Sequence, residues 1–243
     1  SMKKILVVFI SILILMPEVK SSTTSASSYI LMDQNTGRVF LSKDKDSQRL
    51  IASITKIMTC ILALESRKSE DVVIVDDNAT SAYGSGIYIE VGEEIKLKDL
   101  LYGLMLRSGN DAASMIAAYV SGSVEEFVKQ MNNKAKELGM KNTIFYTPSG
   151  LPTPHGNLSS VYDMAILTRY AMQNKEYREI VSTKKYKTST NKKAYIWHNK
   201  NKLLKYDYIT GGKTGYTEES GRTLVSTANI DNMNLIVVTI RDS

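Results

Sequence analysis

The chain has 243 residues, 43% hydrophobic and 23% charged, a composition that fits an ordinary globular protein and excludes a disordered chain. Lys plus Arg number 31 against 25 Asp plus Glu, a net charge of +6; no basic, aromatic-interleaved motif accompanies this excess, so nucleic acid is not an expected partner. One cysteine, Cys60, excludes an internal disulfide, and with two isolated histidines, His155 and His198, there is no metal-ligand cluster, so neither cofactor nor metal is expected.

Residues 1–26 read as an export signal: Lys3 and Lys4, an apolar run from Ile5 to Met16 closed by Pro17, then small residues Thr24-Ser25-Ala26 for cleavage. That run is too short for a membrane-spanning helix, which needs roughly 20 residues. Residues 27–243 are then one domain. Tyr29 to Leu41, with turn residues between Asn35 and Gly37, predicts a hairpin. Ser53 to Leu64 predicts a helix with Ile57, Cys60, Ile61 and Leu64 on one face. Further helices are expected over Lys98 to Leu106, Asn110 to Val120 and Glu125 to Leu138, the last ended by Gly139. Ser160-Val-Tyr-Asp163 resembles a capping box opening a helix to Met172.

From Lys184 to Lys205 there are eight lysines and no acidic residue. This stretch reads as a solvated lysine-rich hairpin or as a surface for an anionic partner: a wall polymer, a membrane surface or a substrate carboxylate. Tyr208 to Thr214, Arg222 to Ala228 and Leu235 to Arg241 are short, β-branched and separated by turns, which predicts three successive antiparallel strands. Hairpin, helices, strands in that order predict an α+β fold, one sheet assembled from both chain ends around a helical insert.

Three short motifs carry chemistry: Ser53-Ile-Thr-Lys56, Ser108-Gly-Asn110 and Lys213-Thr-Gly215. None is specific alone, because Ser-x-x-Lys occurs five times and Ser-Thr-Asn recurs at Ser189. Context selects Ser53, which opens a strong apolar helix. There its hydroxyl and the Lys56 ammonium lie one turn apart on one face. A neutral Lys56 can take the hydroxyl proton, and burial or a second cation such as Lys213 would keep it neutral. Ser108 and Asn110 sit between two helices, where Ser108 can relay a proton and Asn110 hold a substrate amide. Gly215 permits close approach of substrate backbone. Lys213 and Thr214 can receive a carboxylate, and Lys200 and Arg222 are further candidates by their nearness in sequence. Each motif also has a plain structural reading, as N-cap, turn and strand edge. Together, in this order and on these elements, they match the set described for penicillin-binding proteins and β-lactamases.

The surrounding strings Ala52-Ser-Ile-Thr-Lys-Ile-Met-Thr59, Gly103-Leu-Met-Leu-Arg-Ser-Gly-Asn-Asp-Ala-Ala113, Gly212-Lys-Thr-Gly-Tyr-Thr217 and Tyr162-Asp-Met-Ala165 closely resemble the D-alanyl-D-alanine carboxypeptidase family, the low-molecular-mass penicillin-binding proteins. The resemblance runs from about Tyr29 to Arg241. It implies the penicilloyl serine transferase fold, a five-stranded antiparallel sheet flanked by helices. It also implies an acyl-enzyme on Ser53, an oxyanion hole from the backbone N–H groups of Ser53 and Tyr216, peptidoglycan stem peptides as substrates and β-lactams as covalent inhibitors. Family members usually continue past the last strand, whereas this chain stops at Ser243, so one sheet face is expected to be poorly covered. Some members carry an arginine shortly before the Lys-Thr-Gly strand, where Lys200 and Lys202 stand here.

Two rivals share the fold. A class A β-lactamase needs a Glu-x-x-Leu-Asn string for its deacylating water, and none occurs. A non-catalytic wall-binding relative would not need Ser53, Lys56, Ser108, Asn110 and Lys213 all intact. Gly84-Ser85-Gly86 is not a nucleophile elbow, so a Ser-His-Asp hydrolase is not expected.

Overall fold

Strand β1 (Ser28–Asp33) buries Ser28, Ile30 and Met32 and leaves Tyr29, Leu31 and Asp33 half-exposed, the period of two that packs one side of a sheet. The computed structural model describes residues 24–152 and 154–242; the export-signal reading therefore falls on residues outside the described ones, apart from Thr24 to Ala26. Strands β2 (Val39–Lys43), β9 (Ile209–Thr217), β10 (Gly221–Ile230) and β11 (Met233–Asp242) complete a five-stranded antiparallel sheet of order β2-β1-β11-β10-β9. Both chain ends thus build one sheet, as the element order predicts.

One row across this sheet positions the chemistry. Ile30 pairs with Val238, Val238 with Val225, and Val225 with Lys213. The first three are core residues, so Lys213 occupies the row's core-facing end on the edge strand β9 and is itself buried. On the opposite face Leu31, Val237, Leu235 and Leu224 are half-buried and Leu41 is 55% exposed.

Helix α1 (Lys56–Glu65) is buried along Lys56 to Leu64, as befits a helix that is apolar all round. Helices α2 (Leu97–Arg107), α3 (Asn110–Ser121) and α5 (Val161–Ala171) pack around it, and α5 also covers β1 and β11. Helix α4 (Val124–Glu137) ends where Gly139 turns to φ 75°, as its sequence predicts. At α5 the capping box is half formed: Ser160 Oγ accepts from Asp163 N, but the Asp163 carboxylate turns to Asn142 N and Thr143 Oγ1.

Several elements depart from the sequence reading. Ser53 lies in a 3₁₀ turn (Ala52–Thr55) that precedes α1, and Ala52 holds the left-handed conformation at φ 50°. An unpredicted helix α6 (Lys175–Ser182), capped by Asn174, packs against β9. Two short ladders were also invisible to periodicity: β3 (Arg49–Leu50) with β6 (Leu158–Ser159), and β4 (Val72–Ile74) with β5 (Glu94–Lys96). The lysine-rich stretch does form a hairpin, β7 (Lys185–Ser189) with β8 (Ala194–His198). Its inner face, Tyr186 and Trp197, packs on Tyr102 of α2.

Candidate active site

The three motifs meet where the 3₁₀ turn, the α2–α3 junction and β9 converge. Lys56 is wholly buried, and its Nζ lies 3.0 Å from Ser53 Oγ, 2.8 Å from Asn110 Oδ1 and 2.7 Å from the Ser149 carbonyl. Burial pushes its pKa well below the ordinary lysine value, and the neighbouring Lys213 and Lys200 charges push the same way, against Asp111. Both causes named from the sequence act here, and burial outranks the second cation.

Lys213 Nζ lies 3.1 Å from Ser108 Oγ and 2.6 Å from the Thr214 carbonyl. Its pKa is lowered to about 7, first by burial and then by Lys200. Ser108 reaches this position because it ends α2 in the left-handed conformation, φ 58°, which turns the chain so that Asn110 can start α3. The plain reading of Ser53 as an N-cap fails, because neither the turn nor α1 has a side-chain cap bond at its start.

Asn110 has both ends of its amide engaged. Its Oδ1 accepts from Lys56 and its Nδ2 donates to the Tyr83 carbonyl at 2.7 Å. In this state it orients Lys56 at least as directly as it could hold a substrate amide. At Gly215 the close approach is within the chain: a Cβ there would sit 2.5 Å from Thr223 Oγ1 and 2.9 Å from Ser53 N, so β9 lies directly against the nucleophile turn.

Sequence reasoning missed the loop from Phe145 to Asn157. It supplies the Ser149 carbonyl to Lys56 and the Pro148 carbonyl to Thr59 Oγ1. Asn157 fixes it, donating to Thr55 Oγ1 and the Thr147 carbonyl and accepting from the Tyr146 and Thr147 N–H groups. Thr147-Pro-Ser-Gly150 carries turn residues, but only the fold shows that they back the nucleophile.

These groups open into a cleft of about 570 Å³ lined by Ser53, Ser85, Ser108, Lys200, Thr214 and Tyr216, among others. Arg222 and Lys202 also line it, and no acidic side chain does. The structure thus brings Lys200 and Arg222 to the site. Lys200 Nζ lies 3.3 Å from Ser85 Oγ, and burial followed by Arg107 lowers its pKa. His155 and His198 are exposed and stand apart from this set, and Cys60 is buried in the core with its thiol pKa raised by burial. Among the described residues no His, Cys, Asp and Glu grouping suits a metal ion.

Comparison with known proteins agrees with this geometry. The family model for D-alanyl-D-alanine carboxypeptidases (peptidase S11) matches residues 16–243. Curated relatives include D-alanyl-D-alanine carboxypeptidase DacF of Bacillus subtilis, 41% identical over 88% of this chain and 56% of its own length. DacB2 of Mycobacterium tuberculosis is 31% identical over 87% of this chain and 73% of its own length. The chain therefore spans little more than half of the first of these. A solved D-alanyl-D-alanine carboxypeptidase from M. tuberculosis superposes with a TM-score of 0.87 at 28% identity, covering 94% of this chain and 88% of that one. A mutant Streptomyces DD-transpeptidase gives 0.86 at 29% identity, covering 92% and 93%. With a family model spanning nearly all of it and a serine, two buried lysines and a glycine strand gathered at one cleft, the chain belongs to the D-alanyl-D-alanine carboxypeptidase family.

Proposed function

We propose that this protein is a serine D-alanyl-D-alanine carboxypeptidase that removes the terminal D-Ala from peptidoglycan stem peptides through an acyl-enzyme on Ser53. The observation that carries the proposal is a wholly buried Lys56 amine 3.0 Å from Ser53 Oγ, beside the Lys213 charge. Lys56 takes the hydroxyl proton as Ser53 Oγ bonds to the penultimate D-Ala carbonyl carbon. Backbone N–H groups of Ser53 and Tyr216 receive the oxyanion, as in the family. The amide bond breaks as the leaving nitrogen takes a proton delivered through Ser108, which Lys213 contacts. Water then cleaves the ester and restores Ser53. No carboxylate lines the cleft, so a class A β-lactamase water base has no counterpart there. Release of D-Ala from a pentapeptide ending in D-Ala-D-Ala tests the activity. Treatment with penicillin is expected to place the adduct on the Ser53 peptide by mass spectrometry; an adduct on Ser42, Ser182 or Ser189 contradicts the assignment.

The reading extends to the terminal carboxylate. Thr214, Lys200 and Arg222 line a cleft with no acidic side chain, Lys213 lies buried against Ser108 of the same lining, and a carboxylate there accepts charge-assisted bonds roughly twice as strong as neutral ones. A peptide ending in the free acid is expected to be cleaved much faster than its amide. Lys213 loses its charge as pH rises through about 7, so this advantage is full below that pH and shrinks above it. Equal rates for acid and amide at pH 6 would place the carboxylate pocket elsewhere.

Such substrates lie outside the cytoplasmic membrane, so the export signal over residues 1–26 belongs to the same proposal, as does attraction of the lysine-rich hairpin to a membrane or wall surface. Among the described residues no helix is long and apolar enough to cross a membrane. Full-length protein confined to the cytosol would contradict the export reading.

A further inference from the structure

Glu93 is a wholly buried carboxylate 40 residues from the nucleophile in sequence, and nothing in the reaction above uses it. Its Oε1 and Oε2 both lie 2.7 Å from the Tyr195 hydroxyl, Oε1 accepts from Thr190 Oγ1 at 2.8 Å, and Oε2 accepts from Glu90 N at 2.7 Å. Burial opposes its charge, but these donors outweigh burial and hold the carboxyl below its ordinary value. It therefore ties together two segments distant in sequence, the loop from Tyr83 to Gly92 and the hairpin β7–β8.

The loop lines the cleft through Ser85, and the hairpin runs directly into the stretch from Lys200 to Leu203 that also lines it. The loop carries Ser85 and supplies the Tyr83 and Ser85 carbonyls that hold Asn110. Its inner side is pinned by Asp111, which accepts from the N–H groups of Ile87, Tyr88 and Ile89. Its outer side is latched by the hairpin turn: Lys192 Nζ donates to the Val91 carbonyl at 2.7 Å and Lys193 Nζ to the Tyr88 carbonyl at 2.6 Å. Asn191 accepts from Glu94 N at 2.9 Å. The hairpin leads into Lys200, two residues beyond β8, whose backbone N–H also donates to the Leu106 carbonyl at the end of α2 and whose Nζ lies 3.3 Å from Ser85 Oγ. Of the lysine latches Lys192 is exposed and Lys193 half-buried, and polar bonds near the surface contribute little. At the Glu93 node the carboxylate and Tyr195 are both buried, the setting in which loss of one partner is most costly.

We infer that Glu93 is a positioning residue that locks the hairpin to the cleft loop and so sets where Lys200 stands relative to Ser85 and Ser53. This rests on the carboxypeptidase reading, because Lys200 matters through the substrate carboxylate. It also explains the two faces of the lysine-rich stretch: Lys192 and Lys193 latch the loop, and Lys200 and Lys202 line the cleft.

The test compares Glu93→Ala with Glu65→Ala. Glu65 also accepts from several partners, Lys134 and Tyr170, but shares no residue with the cleft. In Glu93→Ala the KM for the acid-terminated peptide is expected to rise about tenfold or more, while cleavage of the amide changes little, so the acid-to-amide preference collapses. Glu65→Ala is expected to keep that preference at whatever stability it retains. Hydrogen exchange supplies a readout independent of turnover: amides over 83–92 and 194–201 should exchange at least tenfold faster in Glu93→Ala only. If Glu93→Ala fails to fold, Tyr195→Phe and Thr190→Val each remove one donor and are expected to move the same two readouts less far. An unchanged acid-to-amide preference in a folded Glu93 or Tyr195 variant overturns the inference. Absence of turnover in the unaltered protein would overturn the activity instead, and the exchange comparison would still decide the role of Glu93.

Discussion

Lys56→Ala is expected to slow acylation of Ser53 by penicillin about 10²–10⁴-fold, the usual contribution of a positioned general base. The amine lies 3.0 Å from Ser53 Oγ, so proton transfer needs no intervening group, and burial lowers its pKa well below the ordinary lysine value, which favours the proton-accepting form. Lys213→Ala is expected to fail differently. Lys213 touches Ser108, which lines the cleft, and the carbonyl of Thr214, which also lines it. Its loss should weaken non-covalent binding of the acid-terminated peptide as well as slow acylation, whereas Lys56→Ala should leave that binding intact. Stopped-flow acylation rates and equilibrium binding to a Ser53→Ala background separate the two. Equal losses of binding in both variants would contradict this division.

Gly150→Ala is expected to damage the site from behind. Gly150 has φ 90°, and a Cβ there would sit 2.0 Å from the Ala52 carbonyl oxygen and 3.1 Å from Ser53 N. The colliding atoms are backbone, and Ala52 already holds a left-handed conformation, so no flexible side chain can yield. Left-handed strain of about 1–2 kcal/mol and overpacking of about 1–3 kcal/mol together give a cost of about 2–5 kcal/mol. For a domain of this size each kcal/mol lowers Tm by roughly 2–4 °C. Relief of the clash moves the turn that carries Ser53 and the neighbouring Ser149 carbonyl that holds Lys56, so acylation falls together with stability. Gly139→Ala is the control: its φ is 75° but nothing lies within 4 Å of the added methyl. It should show the left-handed cost alone and full acylation. A Gly150→Ala protein acylated at the normal rate would show that the turn tolerates displacement.

Glycine and lysine effects of this kind mark the boundary between what sequence and tertiary structure decide. Turn residues and β-branched runs placed the sheet strands, and apolar spacing placed the central helix, because local chain preference and burial are both written in the residues themselves. Gly139 likewise announces its helix end locally. The three motifs pointed to Ser53, Lys56, Ser108, Asn110 and Lys213, since their chemistry requires those residue types and the strings around them resemble one family. Sequence did not show that Lys213 ends a core-facing row of the sheet, which is what buries it and lowers its pKa to about 7. Nor did it show that the Ser149 carbonyl and Gly150 stand behind the nucleophile, or that Glu93 meets Tyr195 across 102 residues. Those facts depend on which surfaces pack together. Burial, close backbone approach and shared hydrogen bonds belong to pairs of segments, and a single stretch of sequence carries no record of its partner.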